Sequence, residues 1–93
     1  MDNEKIVDIK QKLKDEGYYF YVYSYPGGMC FPPHSHAHET VHVVLSGTMQ
    51  VTMEGNDHVL VPGERFIIPA EKQHSAEVLG ESPVVILDAT PHR

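Results

Sequence analysis

The chain has one cysteine, no tryptophan and only seven Lys and Arg residues among its 93 positions. A lone cysteine, Cys30, cannot close an intramolecular disulfide, so the sequence suits a reducing compartment. No apolar run approaches the ~18 residues of a membrane span. The opening segment, MDNEKIVDIK, is charged and lacks the apolar centre of a secretory signal. These features point to the cytoplasm and away from a membrane partner. The formal net charge is −6 with histidine neutral. Lys10, Lys12 and Lys14 form the densest basic stretch, but Asp8, Asp15 and Glu16 are interleaved with them. Phosphate-backbone binding needs clustered cations, so no nucleic-acid partner is expected. A Ser/His/Asp set, a phosphate loop and a carboxylate pair are all missing from the sequence. Any chemistry must come from another residue type.

That type is histidine. His34, His36, His38 and His42 are four of the chain's seven histidines, and all are even-numbered. Alternate side chains of an extended strand share a face, so these imidazoles can line one interior. Imidazole suits Zn, Cu, Fe and Ni. His74 lies well beyond them, at the end of the segment Gly63-Glu-Arg-Phe-Ile-Ile-Pro-Ala-Glu-Lys-Gln-His74.

The two segments together resemble the paired motifs of the cupin superfamily. The first motif reads G-x5-H-x-H-x3,4-E-x6-G. Gly28, His34, His36 and Gly47 match it, and Thr40 occupies the Glu position. The second reads G-x5-P-x-G-x2-H-x3-N. Gly63, Pro69 and His74 match it, with Glu71 at the Gly position and Val78 at the Asn position.

Hydrophobic periodicity supplies the elements. Ile6, Ile9 and Leu13 recur at helical spacing over Asn3 to Glu16, with Asp2 or Asn3 as cap and Gly17 as stop. The narrow apolar stripe predicts a helix packed on the outside of the fold. Tyr18 to Tyr25 is aromatic and strand-like. One face carries Tyr19, Tyr21, Tyr23 and Tyr25, and it is either a core face or a dimer interface. Met29 to His38 runs extended, with Pro32 and Pro33 restricting its pairing. Thr40 to Leu45 is apolar on both faces and therefore covered on both. Met49 to Glu54, His58 to Val61, Arg65 to Ile68, His74 to Leu79 and Val84 to Leu87 complete about eight strands separated by turns, which points to a sandwich or barrel. Asp88 to Arg93 reads as a tail. The expected fold is all-β: a small double-stranded β-helix (jelly-roll) barrel with one N-terminal α-helix. Residues 1–17 form the helix and residues 18–93 the barrel, as a single domain. The jelly roll itself is what the cupin resemblance implies.

The resemblance also implies a metal site. Residues matching His34, His36 and His74 are metal ligands in cupins, and the family's fourth ligand is the Glu that Thr40 replaces. Three arrangements follow: three histidines with waters completing the shell, His42 as a fourth nitrogen, or Glu39 reaching in through a bulge. Parity sends Glu39 outward. The alternative without metal is a set of histidines hydrogen-bonded in a barrel core. One divalent transition metal per chain is expected, from Zn, Fe, Ni or Cu, since loss of the carboxylate disfavours hard Mn. Thr40, His38, Phe66 and Val44 are candidate substrate-pocket residues. Cys30 shares parity with His34 and reads as a small buried apolar residue. Arg65 and Lys72 read as surface cations that could meet an anion at the barrel mouth. The expected function is a metal-dependent enzyme, dioxygenase- or isomerase-like, acting on a small organic substrate as a homodimer. The alternatives are a sensor barrel that binds metal or a small molecule, and a structural domain.

Overall fold

The structure is a computed structural model that describes residues 1–92. Helix α1 spans Asn3–Asp15. The Asp2 carboxylate accepts the Lys5 N–H at 2.9 Å, which satisfies one of the free donors of the first turn. Eight strands follow: β1 (Tyr18–Tyr25), β2 (Cys30–His34), β3 (Thr40–Ser46), β4 (Met49–Met53), β5 (Asn56–Leu60), β6 (Arg65–Ile68), β7 (His74–Val78) and β8 (Val84–Pro91). They form two four-stranded sheets, ordered β1-β8-β3-β6 and β2-β7-β4-β5. Every pairing is antiparallel. The fold is mostly β with one helix, as the sequence predicts.

Strand β3 explains its own unbroken apolar run. Val41, Val43 and Leu45 bury one face together with Leu13 of α1, Leu87 and Ala89 of β8. Val44 buries the other face between the sheets with Ile68, Ile86, Met49 and Val51. The helix therefore covers the outer face of the first sheet. At the β3–β4 turn Gly47 has φ 80, and an added Cβ would collide with the Pro83 carbonyl oxygen. Only glycine fits there.

The two sheets are sewn together along both sides by aromatic contacts. Tyr25 of β1 meets Phe31 of β2 with ring centroids 4.9 Å apart, and His58 of β5 meets Phe66 of β6 at 4.8 Å. Strand β1 is an edge of its sheet. Its Tyr18 and Phe20 pack beneath the helix. On its other face Tyr19, Tyr21 and Tyr23 are exposed and only Tyr25 joins the core.

Two elements depart from expectation in ways that matter for the site. Strand β2 stops at His34 rather than running on to His38, and its register with β7 shifts between Phe31 and His34. The cause is Pro32-Pro33, which cannot donate to a ladder. Strand β8 continues to Pro91, so Asp88 lies in a strand and not in a tail. Arg93, the last residue of the expected tail, lies outside the described residues.

Candidate metal centre

His34 ends β2 and His74 begins β7, and the two are paired across the ladder. His36 follows in the loop after β2. The loop is fixed to the second motif: the Glu71 N–H donates to the His36 carbonyl oxygen at 2.7 Å. Glu71 has φ 64, a left-handed conformation. The turn there needs the freedom that glycine has, although the sequence supplies a glutamate.

The ligating atoms of His34, His36 and His74 all lie within 4.8 Å of one another. Zn–N bonds are about 2.0–2.1 Å long, so two bound nitrogens are at most about 4.2 Å apart. A small inward rotation of the rings completes the fit. Two of the rings are already held in the required tautomer. His34 Nδ1 faces the Pro32 carbonyl at 2.7 Å and His74 Nδ1 faces the Lys72 carbonyl at 3.0 Å. A carbonyl only accepts, so Nδ1 carries the proton and Nε2 keeps its lone pair for an ion. His36 and His74 also titrate below the ordinary imidazole value. Burial is the main cause in both, followed for His36 by the nearby imidazoles of His34 and His42. For His74 the neighbouring imidazoles act in the same direction, against a backbone hydrogen bond at Lys72. The neutral, ligand-competent form is thereby favoured. The three histidines can hold a metal ion.

The cluster opens on a cavity of about 230 Å³ between the sheets. Its apolar wall includes Tyr25, Phe31, Met49, Val51, Ile68 and Ile86. Its polar lining is His34, His36, His74, His42 and Asp88. No described Lys or Arg lines it.

The Cupin domain family matches residues 20–90. The chain belongs to the cupin family. Mannose-1-phosphate guanylyltransferase of Klebsiella pneumoniae is 38% identical over 64 residues, which is 68% of this cupin and 13% of that enzyme. This cupin thus spans a small part of that relative's length. KdgF from Halomonas sp. superposes with a TM-score of 0.69 at 28% identity, over 83% of this chain and 72% of that one. The DMSP lyase DddQ from Ruegeria pomeroyi superposes with a TM-score of 0.72 at 26% identity, over 82% and 39% of the two chains.

The remaining candidates fall as follows in this cupin. His42 is absent from the three-histidine group, and its Nδ1 lies 2.5 Å from Asp88 Oδ1. Glu39 points away from the cavity, because its Oε2 accepts the Tyr18 hydroxyl at 2.7 Å. Thr40 is buried opposite Ile68 and does not line the cavity. Val44 is fully buried in the core, Phe66 is turned onto His58, and His38 is exposed in the loop. None of these three lines the cavity. Cys30 is exposed and not buried. The Pro32-Pro33 irregularity breaks the parity argument: Phe31 and His34 both line the cavity, although one is odd and the other even. Arg65 is paired with Glu16 at 2.7 Å and Lys72 lies 3.4 Å from Glu54, and neither lines the cavity. Asp88 is the residue that sequence reasoning missed. The signal was available in the alternation Ile86, Asp88, Thr90, which continues the strand past its apolar run.

Proposed function

We propose that this cupin is a metal-dependent enzyme that acts on a small, unphosphorylated organic molecule held in the barrel. The observation that carries the reading is the convergence of three imidazoles, two of them with the tautomer set by a backbone carbonyl, on one largely apolar cavity. His34, His36 and His74 would hold one divalent transition ion, with Zn, Fe, Ni and Cu all suited to nitrogen donors. A bound ion would supply Lewis acidity toward a substrate oxygen. The residues around it bind and orient the substrate: Tyr25, Phe31 and Ile68 exclude water, and the cavity takes a molecule displacing about eight waters. Among the described residues no Lys or Arg lines the cavity to meet a phosphate dianion, which favours an unphosphorylated substrate over a sugar phosphate. The DMSP lyase that shares the barrel supports turnover of a small molecule as the general use of such a cavity. The exposed thiol of Cys30 fits the reducing conditions of a cytoplasm.

Elemental analysis of untagged protein tests the metal. The expected result is close to one Zn, Fe, Ni or Cu per chain, lost in His34→Ala and His74→Ala. Unchanged metal content in both variants would overturn the site. A sensor barrel would show the same metal content with ligand-induced stabilisation and no turnover.

The β1 edge is the proposed homodimer surface. Tyr19, Tyr21, Val22 and Tyr23 are all more than 40% exposed on a strand whose outer hydrogen-bonding side is unpaired. Tyrosine is enriched at interfaces, and unpaired edges invite a second strand. Light scattering at micromolar protein should give twice the chain mass, and Val22→Lys with Tyr21→Glu should give the monomer. A monomeric wild type would reject this surface.

A further inference from the structure

The cavity holds a polar pair that metal binding leaves unused. His42 of β3 and Asp88 of β8 are cross-strand partners on the inner face of the first sheet. Their facing atoms, Nδ1 and Oδ1, are 2.5 Å apart, sealed from solvent and without any other partner. The angles fall short of good hydrogen-bond geometry. Even so, an imidazole lone pair and a carboxylate oxygen would repel at that separation, so the tautomer with the proton on Nδ1 is the one that fits. The next inward-facing pair along the same strands, Val44 and Ile86, is apolar and buried. The fold therefore tolerates apolar residues on this wall. The two side chains are only partly buried, 15% and 27% exposed, and an ion pair so placed contributes little to stability relative to a hydrophobic pair of the same volume. An imidazole–carboxylate pair on the wall of a ligand cavity points to chemistry.

The arrangement sets the ring's roles. Nδ1–H is spent on Asp88, so Nε2 is the nitrogen available to a molecule in the cavity. The carboxylate fixes this tautomer and compensates the charge when Nε2 takes up a proton. The same cavity carries the three-histidine cluster, so a carbonyl oxygen held there would be polarised beside a base.

We propose that His42 is the acid–base residue of this cavity and Asp88 its positioning residue, acting on small enolisable carbonyl compounds such as α-hydroxyketones. The proposal rests on the metal-dependent reading above. His42 Nε2 takes the proton from the carbon next to the carbonyl. The C–H electron pair becomes the C=C bond of the enediol as the carbonyl π pair moves to oxygen. Returning a proton to the same carbon gives exchange with solvent. Returning it to the neighbouring carbon, with the hydroxyl proton passing to the other oxygen, gives the isomer. Both routes balance without an oxidant.

The test uses the full chain loaded with Zn2+, dihydroxyacetone as probe, and proton NMR in D2O to follow loss of the C–H signal. Wild type should exchange faster than free Zn2+. His42→Gln should exchange at least about 100-fold more slowly, the usual range for a lost acid–base group, at unchanged metal content. Asp88→Asn should lower the rate at saturating probe and leave half-saturation unmoved, and Asp88→Glu should recover part of the rate. The double variant His42→Leu/Asp88→Leu removes the pair together and should melt no lower than wild type while losing exchange. Exchange undiminished in His42→Gln, or absent from metal-loaded wild type, would overturn the proposal with the metal reading intact. Metal lost from His42→Gln would overturn it differently, by making His42 a ligand. Absence of metal from wild type would instead sink the parent reading.

Discussion

Glu71 occupies the left-handed region at φ 64, which costs an L side chain about 1–2 kcal/mol. The turn is kept because its N–H reaches the His36 carbonyl and ties the two motif loops together. Glycine would relieve the strain but would free the unfolded chain, an offset of about 0.4–1 kcal/mol. Glu71→Gly should therefore stabilise the protein by about 0.5–1 kcal/mol in urea melts, with metal content unchanged. A loss of stability would show that the glutamate side chain has a compensating role. Residue identity was a good guide to the histidine cluster, since His34, His36 and His74 were nominated by the motif spacing and do converge. It was a poor guide to the cavity wall. Thr40 stands out by its place in the motif, and Val44, Phe66, Ile68 and the methionines by apolarity; of these only Ile68 and Met49 line the cavity, because neither property tells how deep in a barrel a side chain lies.

The elements follow the same division. Helix α1 and strands β1 and β6 were legible almost to the residue, because periodicity and flanking turn residues agree there. Strand β2 was not, because the effect of Pro32-Pro33 on register depends on the partner strand β7 and not on local sequence. Strand β8 was cut short at its first charged residue, where the placement of Asp88 beside His42 depends on a pairing distant in sequence. The helix's role was readable from its narrow apolar stripe, and its one fully buried residue is Leu13. That residue fills the outer core of the first sheet with Val41, Val43 and Leu87. Leu13→Ala should cost about 2–5 kcal/mol, the range for a buried leucine. Because the outer core lies on the far side of β3 from the cavity, metal content should be retained at temperatures where the variant is folded. Loss of the metal in folded Leu13→Ala would show that the helix also governs the inner face.

At the scale of the whole molecule, a 93-residue chain has a small core, and an ion that ties separate segments together is a large addition to its stability. The candidate ligands come from β2, the following loop and β7, so an ion would tie the loop to the sheet. At a free concentration 100-fold above Kd, binding to the native state alone adds about 2.7 kcal/mol. A domain of this size shifts its melting temperature by about 4–8 °C per kcal/mol, so Zn2+ or Ni2+ should raise Tm by about 10–20 °C. Acid should act through the same histidines. His36 and His74 are held below the ordinary value of 6.5, chiefly by burial. Below about pH 6.5 the unfolded chain then binds protons that the folded chain does not, so stability rises with pH across this window. In the metal-free protein their contribution is present above about 6.5 and is lost as pH falls toward the lower folded-state values. Protons also compete with an ion for the same nitrogens, so the metal-dependent rise in Tm should shrink as the pH is lowered. Melting curves from pH 8 to pH 5, with and without Zn2+, read both effects. His74→Gln should flatten the metal-free curve and abolish most of the zinc-dependent shift. A shift of the same size in His74→Gln as in wild type would mean that the ion binds elsewhere on the barrel.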